Sequence, residues 1–389
     1  MNFDLNEEQR LLADSIQRFI AQEYDFERRG RIVASAEGYS EEIWATLAGL
    51  GLLALPIPSE FDGFGGGAAD LMSVMEAIGE ALVVEPYLAT VGLGAQFIAR
   101  AGSEAQKKEL LPAVAAGKLK LAFAQTEEHA RYDLARVAAR ATREGASYVL
   151  EGEKRVVLHA PCADRLVVSA RTSGGGAERH GISLFLVDAK APGISMGGYR
   201  TLDEWRAADV LFRGVRVPVE ALIGKEGEGL ESIEAVVDFA TALICAEAVG
   251  AIRCANAATL EYLKTRRQFG VPIGSFQALQ HRMVDMVISY EQAKSMAYVA
   301  CGAVDSERDP VSRRRTVSAA KLRIADACRH VSQESIQLHG GMGMSEELKV
   351  SHTFRRLVVI AQQFGDADHH LERFARNSPY PAEVSRAKA

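Results

Sequence analysis

Three short segments combine residue types and spacings that suit a flat ligand carrying phosphates. The first is Leu121-Ala122-Phe123-Ala124-Gln125-Thr126-Glu127-Glu128. The second is Thr265-Arg266-Arg267-Gln268-Phe269-Gly270-Val271-Pro272-Ile273-Gly274-Ser275-Phe276-Gln277, and the third is Gln337-Leu338-His339-Gly340-Gly341-Met342-Gly343-Met344. Two arginines at the end of a long helix can clamp a pyrophosphate with charge-assisted hydrogen bonds, and the Phe-Gly after them can stack a flat ring. A glycine pair after a helix can bring backbone donors to the same anion. Taken singly, each segment also reads as a solvated helix end, a turn or a C-cap.

Other chemistries find little support. The chain has no GxGxxG after a strand, and no Walker A, HExxH or GxSxG pattern. His339, His352, His369 and His370 match no metal-ligand spacing, and adjacent histidines do not share a helical face, so no metal site is expected. The five cysteines form no CxxC pair and are odd in number. That argues for free thiols in a reducing cytosol rather than a disulfide framework or zinc ribbon. Net charge is −6 and the pI is near 5.9, so no nucleic-acid footprint is expected. The acidic start MNFDLNEEQRLL lacks the layout of a signal peptide, and no apolar run reads as a membrane span. These features point to a cytoplasmic protein without a membrane anchor.

The elements that must position the three segments fall into three blocks along 389 residues. Residues 1–117 read as helical. Asn6 with Gln9 forms a capping box, and Leu12, Ile16, Phe19 and Ile20 lie on one face. Ser40 caps a helix carrying Ile43, Trp44 and Leu47, and Ser103 begins another that fades before Gly117. The loop Phe61-Asp62-Gly63-Phe64-Gly65-Gly66-Gly67 suits either positive φ or close approach to a ligand. Residues 118–228 read as β. Strand-like runs lie at 145–151, 156–160, 164–171, 181–189 and 207–218, with Gly152-Glu153 as a turn. Residues 229–389 return to helix. A small-residue stretch at 246–258 suits a close-packed helix pair, and further long helices lie near 276–304, 311–338 and 346–360. The expectation is an α+β chain: a helical domain, an antiparallel β-barrel or sandwich, then a four-helix bundle.

Together these segments resemble the acyl-CoA dehydrogenase family, from FDLNEEQRLLADSIQRF through LLPAVAAGKLKLAFAQTE to RRQFGVPIGSFQALQHRMVDM and QLHGGMGM. The segments FDGFGGG, YLKTRRQFGVPIGSFQALQHR and FGDADHHL resemble small subunits of bacterial heteromeric acyl-CoA dehydrogenases, such as that of pimeloyl-CoA dehydrogenase. The resemblance implies FAD between the β domain and the C-terminal helices, with a neighbouring subunit completing the site. Phe123, Gln125 and Thr126 then edge the isoalloxazine ring, and Val156-Val157-Leu158 matches the family's Trp-Ile-Thr/Ser. Arg266, Gln268, Phe269, Phe276 and Gln277 hold the adenine half and pyrophosphate across a dimer interface, with Gln337, Gly340 and Gly341 on another face. It also implies an acyl-CoA substrate, a second copy or a paralog as partner, and electron-transferring flavoprotein as acceptor.

The departures matter as much as the matches. Leu158 lacks the hydroxyl that bonds the flavin, leaving backbone groups or His159 to replace it. Tyr132 stands where a Ser usually touches the thioester chain, and its bulk changes or blocks that path. The family's base, a Glu before a Gly, falls on Phe364 before Gly365, and the alternative base position falls on Ala240, with Thr241 at the adjacent Arg position. Dehydrogenation needs a carboxylate to take the α-proton while the β-hydride leaves for the flavin. Asp366 is the foremost candidate for a relocated base, ahead of Asp368, Asp238 and Glu247. Asp238 more naturally keeps the family's contact with the pantetheine arm, and Glu247 reads as a packing residue with a satisfied partner. The sequence thus supports, first, a heteromer subunit lacking its own catalytic Glu. A self-sufficient dehydrogenase using Asp366 and a flavin monooxygenase on the same fold are the alternatives.

Overall fold

The computed structural model describes residues 7–378. The N-terminal helices are α1 (Glu7–Glu23), α2 (Phe26–Ala34), α3 (Glu41–Gly49), α4 (Ala68–Ala81), α5 (Ala95–Ala101) and α6 (Glu104–Ala115). Ser40 caps α3 by accepting from the Ile43 N–H, and Ser103 and Gln106 form a reciprocal capping box on α6. The expected Asn6 cap lies outside the described residues. Helix α2 was not foreseen, because its charged surface hides the periodicity of Arg29, Ile32 and Val33, which are buried. The triple-glycine loop serves a helix start. The Asp305 carboxylate accepts from the N–H groups of Ala68 and Ala69 at 2.7 and 2.8 Å, at the N-terminus of α4.

The middle block has strands β1 (Leu121–Ala124), β2 (Arg140–Glu144), β3 (Ser147–Leu158), β4 (Arg165–Arg171), β5 (Ile182–Asp188), β6 (Ile194–Arg200), β7 (Arg206–Pro218) and β8 (Leu222–Ile223). They form one sheet in the order β6-β7-β3-β2-β4-β5-β8, with β1 on β4. Most pairs are antiparallel, but β1 and β2 both run parallel to β4. Gly152-Glu153 is not a turn. Strand β3 runs straight through it, and its register against β7 shifts between Leu150 and Gly152. Gly152 has φ +138°, and a Cβ there would stand 2.7 Å from the Ala139 Cα. Only glycine fits this bulge, which a sequence pattern cannot tell from a hairpin. A second shift separates Lys154 from Val157, where Val156 sits at φ +52°.

The C-terminal block holds α7 (Gly229–Thr265), a small hairpin of β9 (Arg267–Gln268) and β10 (Val271–Pro272), then α8 (Gln277–Ser306), α9 (Pro310–His339), α10 (Lys349–Gln362) and α11 (Ala367–Arg376). The small residues of α7 pack within the chain: Gly250 lies on the α4 backbone at Glu76, and Gly79 of α4 lies on the α7 backbone at Glu247. The expectation of no membrane-length apolar run needs correction. Helix α7 is long and apolar enough to cross a bilayer, but 94% of its most apolar window is buried inside the fold. It is the central core helix.

All three blocks meet at the turn between β6 and β7. Arg356 of α10 donates to Glu247 of α7 through Nε (2.5 Å) and Nη2 (2.8 Å), and to Asp203 of the turn through Nη1 (2.6 Å). Its guanidinium also lies 3.8 Å from the Trp205 ring centre. Glu204 beside them pairs with Arg29 of α2 and with His352 of α10. Glu247 is therefore the partnered packing residue that the sequence suggested.

Candidate flavin site

Strand β1 ends where the first segment turns toward β3. The Phe123 ring rests on Phe97, with centroids 4.5 Å apart. Gln125 is buried. Its Nε2 donates to the Leu134 carbonyl at 2.9 Å, while its Oε1 has no hydrogen-bond partner among the described residues. Thr126 is exposed, and its carbonyl accepts from the Arg155 N–H at 2.8 Å. Lys154 fastens the segment from beneath: fully buried, it donates to the Gln125 carbonyl, Glu127 Oε1 and Ser169 Oγ at 3.2, 2.7 and 2.9 Å. Burial pulls the Lys154 ammonium down to about 8, against the pull of Glu127. The sequence did not single out Lys154, although a lysine inside an alternating strand was a visible signal. On β3, Val157 is buried, Leu158 is half-buried, and His159 follows in the left-handed region at φ +58°.

The second and third segments meet at one end of the bundle. Tyr262 of α7 stacks on His339 of α9 with centroids 4.5 Å apart. Phe269 and Gly270, at φ +52° and +82°, form the two-residue turn between β9 and β10. A non-glycine residue in that conformation is uncommon, and Phe269 is 90% exposed, edge-on to Phe276. Arg266, Gln268, Gln277, Gln337, Gly340 and Gly341 are exposed, and the two glycines leave open space around their Cα atoms. The first segment packs against β3, β4 and the helical turn 88–94, whereas β10 packs on α7, and the short turn 273–275 after it packs on α7 and α8.

The position expected for a catalytic Glu lies in the turn between α10 and α11. Phe364 has φ +60° and Gly365 φ +127°. The buried Lys321 ammonium donates to the carbonyls of Ala361 and Gly365 at 3.2 and 2.8 Å, and His370 Nε2 lies 3.2 Å from the Phe364 carbonyl. Asp366 is the N-cap of α11: its Oδ1 accepts from the His369 N–H at 2.9 Å, and its Oδ2 lies 3.8 Å from Arg131. Ala240 is fully buried on α7. Asp238, also fully buried, is held by Arg373 at 2.6 Å and Arg313 at 3.2 Å. Thr241 spends its hydroxyl on the Val237 carbonyl. The Tyr132 hydroxyl donates to Gln362 Oε1 at 3.3 Å, and its ring lies 5.2 Å from that of His369. The groups expected to meet the acyl chain thus spend their contacts inside the protein.

Two buried imidazoles give the fold a pH dependence. Burial pushes His159 down to about 3 and His370 down to about 2. Both are neutral when folded and take up a proton on unfolding below 6.5, the ordinary imidazole value, so stability falls as pH drops from there. Each contributes about 1.4 kcal/mol per pH unit in that range. Glu85 opposes them: burial raises its carboxyl to about 7, so its contribution is present below its unfolded value of 4.5 and is lost as pH rises through 7. The urea midpoint is expected to climb between pH 4.5 and 6.5, and Glu85→Gln is expected to steepen that climb. A flat profile in both proteins would contradict this assignment.

An unpartnered amide oxygen beside β1 and an exposed hairpin of arginine, phenylalanine and glycine are groups that a flavin dinucleotide can engage. The class they define is a three-domain flavin-dependent oxidoreductase. The chain belongs to the acyl-CoA dehydrogenase family: models of that family's N-terminal, middle and C-terminal domains match residues 6–118, 122–215 and 227–378. It is 29% identical over 381 residues to the probable acyl-CoA dehydrogenase YngJ of Bacillus subtilis, covering 96% of this chain and 98% of the relative. The FAD complex of PigA superposes with a TM-score of 0.89 at 28% identity, covering 95% or more of each chain (97% and 98%). The ChsE4-ChsE5 complex of Mycobacterium tuberculosis gives 0.86 at 25% identity, with all of both chains covered. The cofactor is FAD, which supplies a hydride acceptor when bound.

Proposed function

We propose that this chain is one subunit of a heteromeric acyl-CoA dehydrogenase, completing a flavin site while a paralogous partner carries the catalytic carboxylate. The observation that carries this reading is the α10–α11 turn. A phenylalanine stands where the carboxylate is expected, and the nearest acid, Asp366, caps a helix. The in-chain pairing of Asp238 with Arg313 and Arg373, and the Tyr132–Gln362 contact, support it. Both leave little polar capacity for a thioester arm. The exposed Phe269 hairpin fits a flavin shared between chains, since an exposed aromatic ring in a strained turn gains by being covered. The similarity to the ChsE4-ChsE5 complex is in keeping with a heteromer. In this reading the assembled enzyme oxidises an acyl-CoA thioester in the cytoplasm and passes electrons to an electron-transferring flavoprotein.

The test is anaerobic visible spectroscopy. FAD-loaded chain alone should stay yellow when acyl-CoA is added, whereas the chain co-purified with its partner should bleach. Bleaching of the chain alone would sink the reading. Arg266→Ala is expected to weaken FAD retention about 10- to 150-fold, the loss of one charge-assisted phosphate contact of roughly 1.5–3 kcal/mol. Equilibrium dialysis of the FAD-loaded complex measures it, and unchanged flavin content would remove Arg266 from the site.

A further inference from the structure

Three arginines stand in a row on α9, and only two of them are paired. Arg313 donates to Asp238 at 3.2 Å and Arg314 to Glu234 at 3.1 Å. Arg315 makes no hydrogen bond or ion pair with any described residue, and its Nε is sealed from solvent. Its half-buried guanidinium lies over the Phe374 ring of α11, 4.9 Å from the ring centre. A surface arginine ordinarily keeps its charged head in water. Here an aromatic ring covers one side and one N–H is walled off without an acceptor. That arrangement is unfavourable until an anion supplies the acceptor. Arg315 also lines a cleft of about 250 Å³ between α8, α9 and α11, open to solvent. Ser312, Arg315, Thr316 and Ala319 reach it from one face of α9, at the i, i+3, i+4 and i+7 spacing. Met296 and Val299 of α8 and Phe374 of α11 form the other walls.

We propose that this cleft binds a small carboxylate with a short apolar body, its charged end on Arg315 and Thr316 and its body against Met296, Val299 and Phe374. The planar guanidinium presents parallel donors that match the two oxygens of a carboxylate. The Ser312 hydroxyl donates to Asp309 at 2.8 Å, whereas the Thr316 hydroxyl has no partner among the described residues and is left to donate. A phosphate fits less well, since one cation among apolar walls leaves most of its charge and oxygens unmet. At about 30 Å³ for each water-sized unit, the cleft takes roughly eight such units, the size of a six-carbon acid. The walls are held in place: Arg313, and Arg373 beside Phe374, both grip Asp238. The cleft is separate from the flavin segments, because Gln337 lies on the same helix about 33 Å away at 1.5 Å per residue. None of this depends on which subunit carries the catalytic carboxylate.

The test is a saturation-transfer NMR titration of hexanoate against the full wild-type chain, free and in the assembled complex. Hexanoate is expected to bind in both states. Arg315→Gln is expected to weaken that binding about 10- to 150-fold, as for one lost charge-assisted hydrogen bond. Ala319→Leu, which fills the cleft and leaves the arginine in place, is expected to abolish it. Circular dichroism and FAD content of both variants should match the wild type. Hexan-1-ol, which keeps the apolar body and lacks the charge, should bind wild type and Arg315→Gln alike. Failure of hexanoate to bind the wild type would overturn the proposal. So would equal hexanoate binding by wild type and Arg315→Gln, which would place the ligand elsewhere, or binding of inorganic phosphate without hexanoate. Binding to the free chain that is lost in the complex would make the cleft part of a subunit interface and overturn it as a ligand site.

Discussion

Arg356→Met is expected to cost about 3–5 kcal/mol of stability, because it leaves two buried carboxylates without their cation. Arg356, Glu247 and Asp203 have side chains only 3%, 1% and 2% exposed, so water cannot replace the lost charge. Burial disfavours the Arg356 charge, yet Glu247 and Asp203 more than offset it and hold its pKa above the usual value. The loss would fall on all three blocks at once, since the guanidinium joins α7, α10 and the β6–β7 turn. Arg356→Lys is expected to recover only part, because an ammonium cannot make the two parallel bonds to Glu247. The double variant Arg356→Met with Glu247→Gln is expected to be more stable than the sum of the single losses, as one stranded charge is removed. Urea unfolding of the wild type, the three single variants (Glu247→Gln included) and the double variant at one pH measures this. A single-variant loss below about 1 kcal/mol would place the cluster among pairs of little net worth.

That cluster shows where the sequence stops being legible. Ser40 and Ser103 announce their helices because a cap and its partner lie three residues apart. The block order was legible for the same reason: its signals are local. Arg356 lies 109 residues from Glu247 and 153 from Asp203, and no pattern in FRRLVVIA says which arginine faces inward. Gly152 reads as a turn until Ala139 is known to press against it. The small-residue stretch of α7 suggested a close partner but could not say that α4 of the same chain supplies it. Asp366 is different, because its role was within reach. An aspartate three residues before His369, ahead of the amphipathic ADHHLERF run, is an N-cap signature.

Asp366→Asn therefore separates two readings that the sequence left open. Asparagine caps a helix about as well as aspartate, so the variant should keep α11 and the turn before it. It removes only the ability to accept a proton. If Asp366 were the base, general-base catalysis worth roughly 10²–10⁴-fold would vanish from the assembled enzyme. The geometry argues otherwise. Oδ1 is engaged by the His369 N–H, and Oδ2 faces Arg131, whose side chain is 84% exposed. The carboxylate starts two residues past the expected position, on a side chain one methylene shorter than glutamate. Lys321 pins the Ala361 and Gly365 carbonyls, so the turn cannot easily swing to bring Asp366 into place of Phe364. The expected result is that the Asp366→Asn complex keeps more than about a tenth of its rate, a smaller loss than the low end of the general-base range. Single-turnover flavin reduction by acyl-CoA in the reconstituted complex is the measurement. A fall of a hundredfold or more, with FAD content and melting temperature unchanged, would make this chain the catalytic subunit and Asp366 its base.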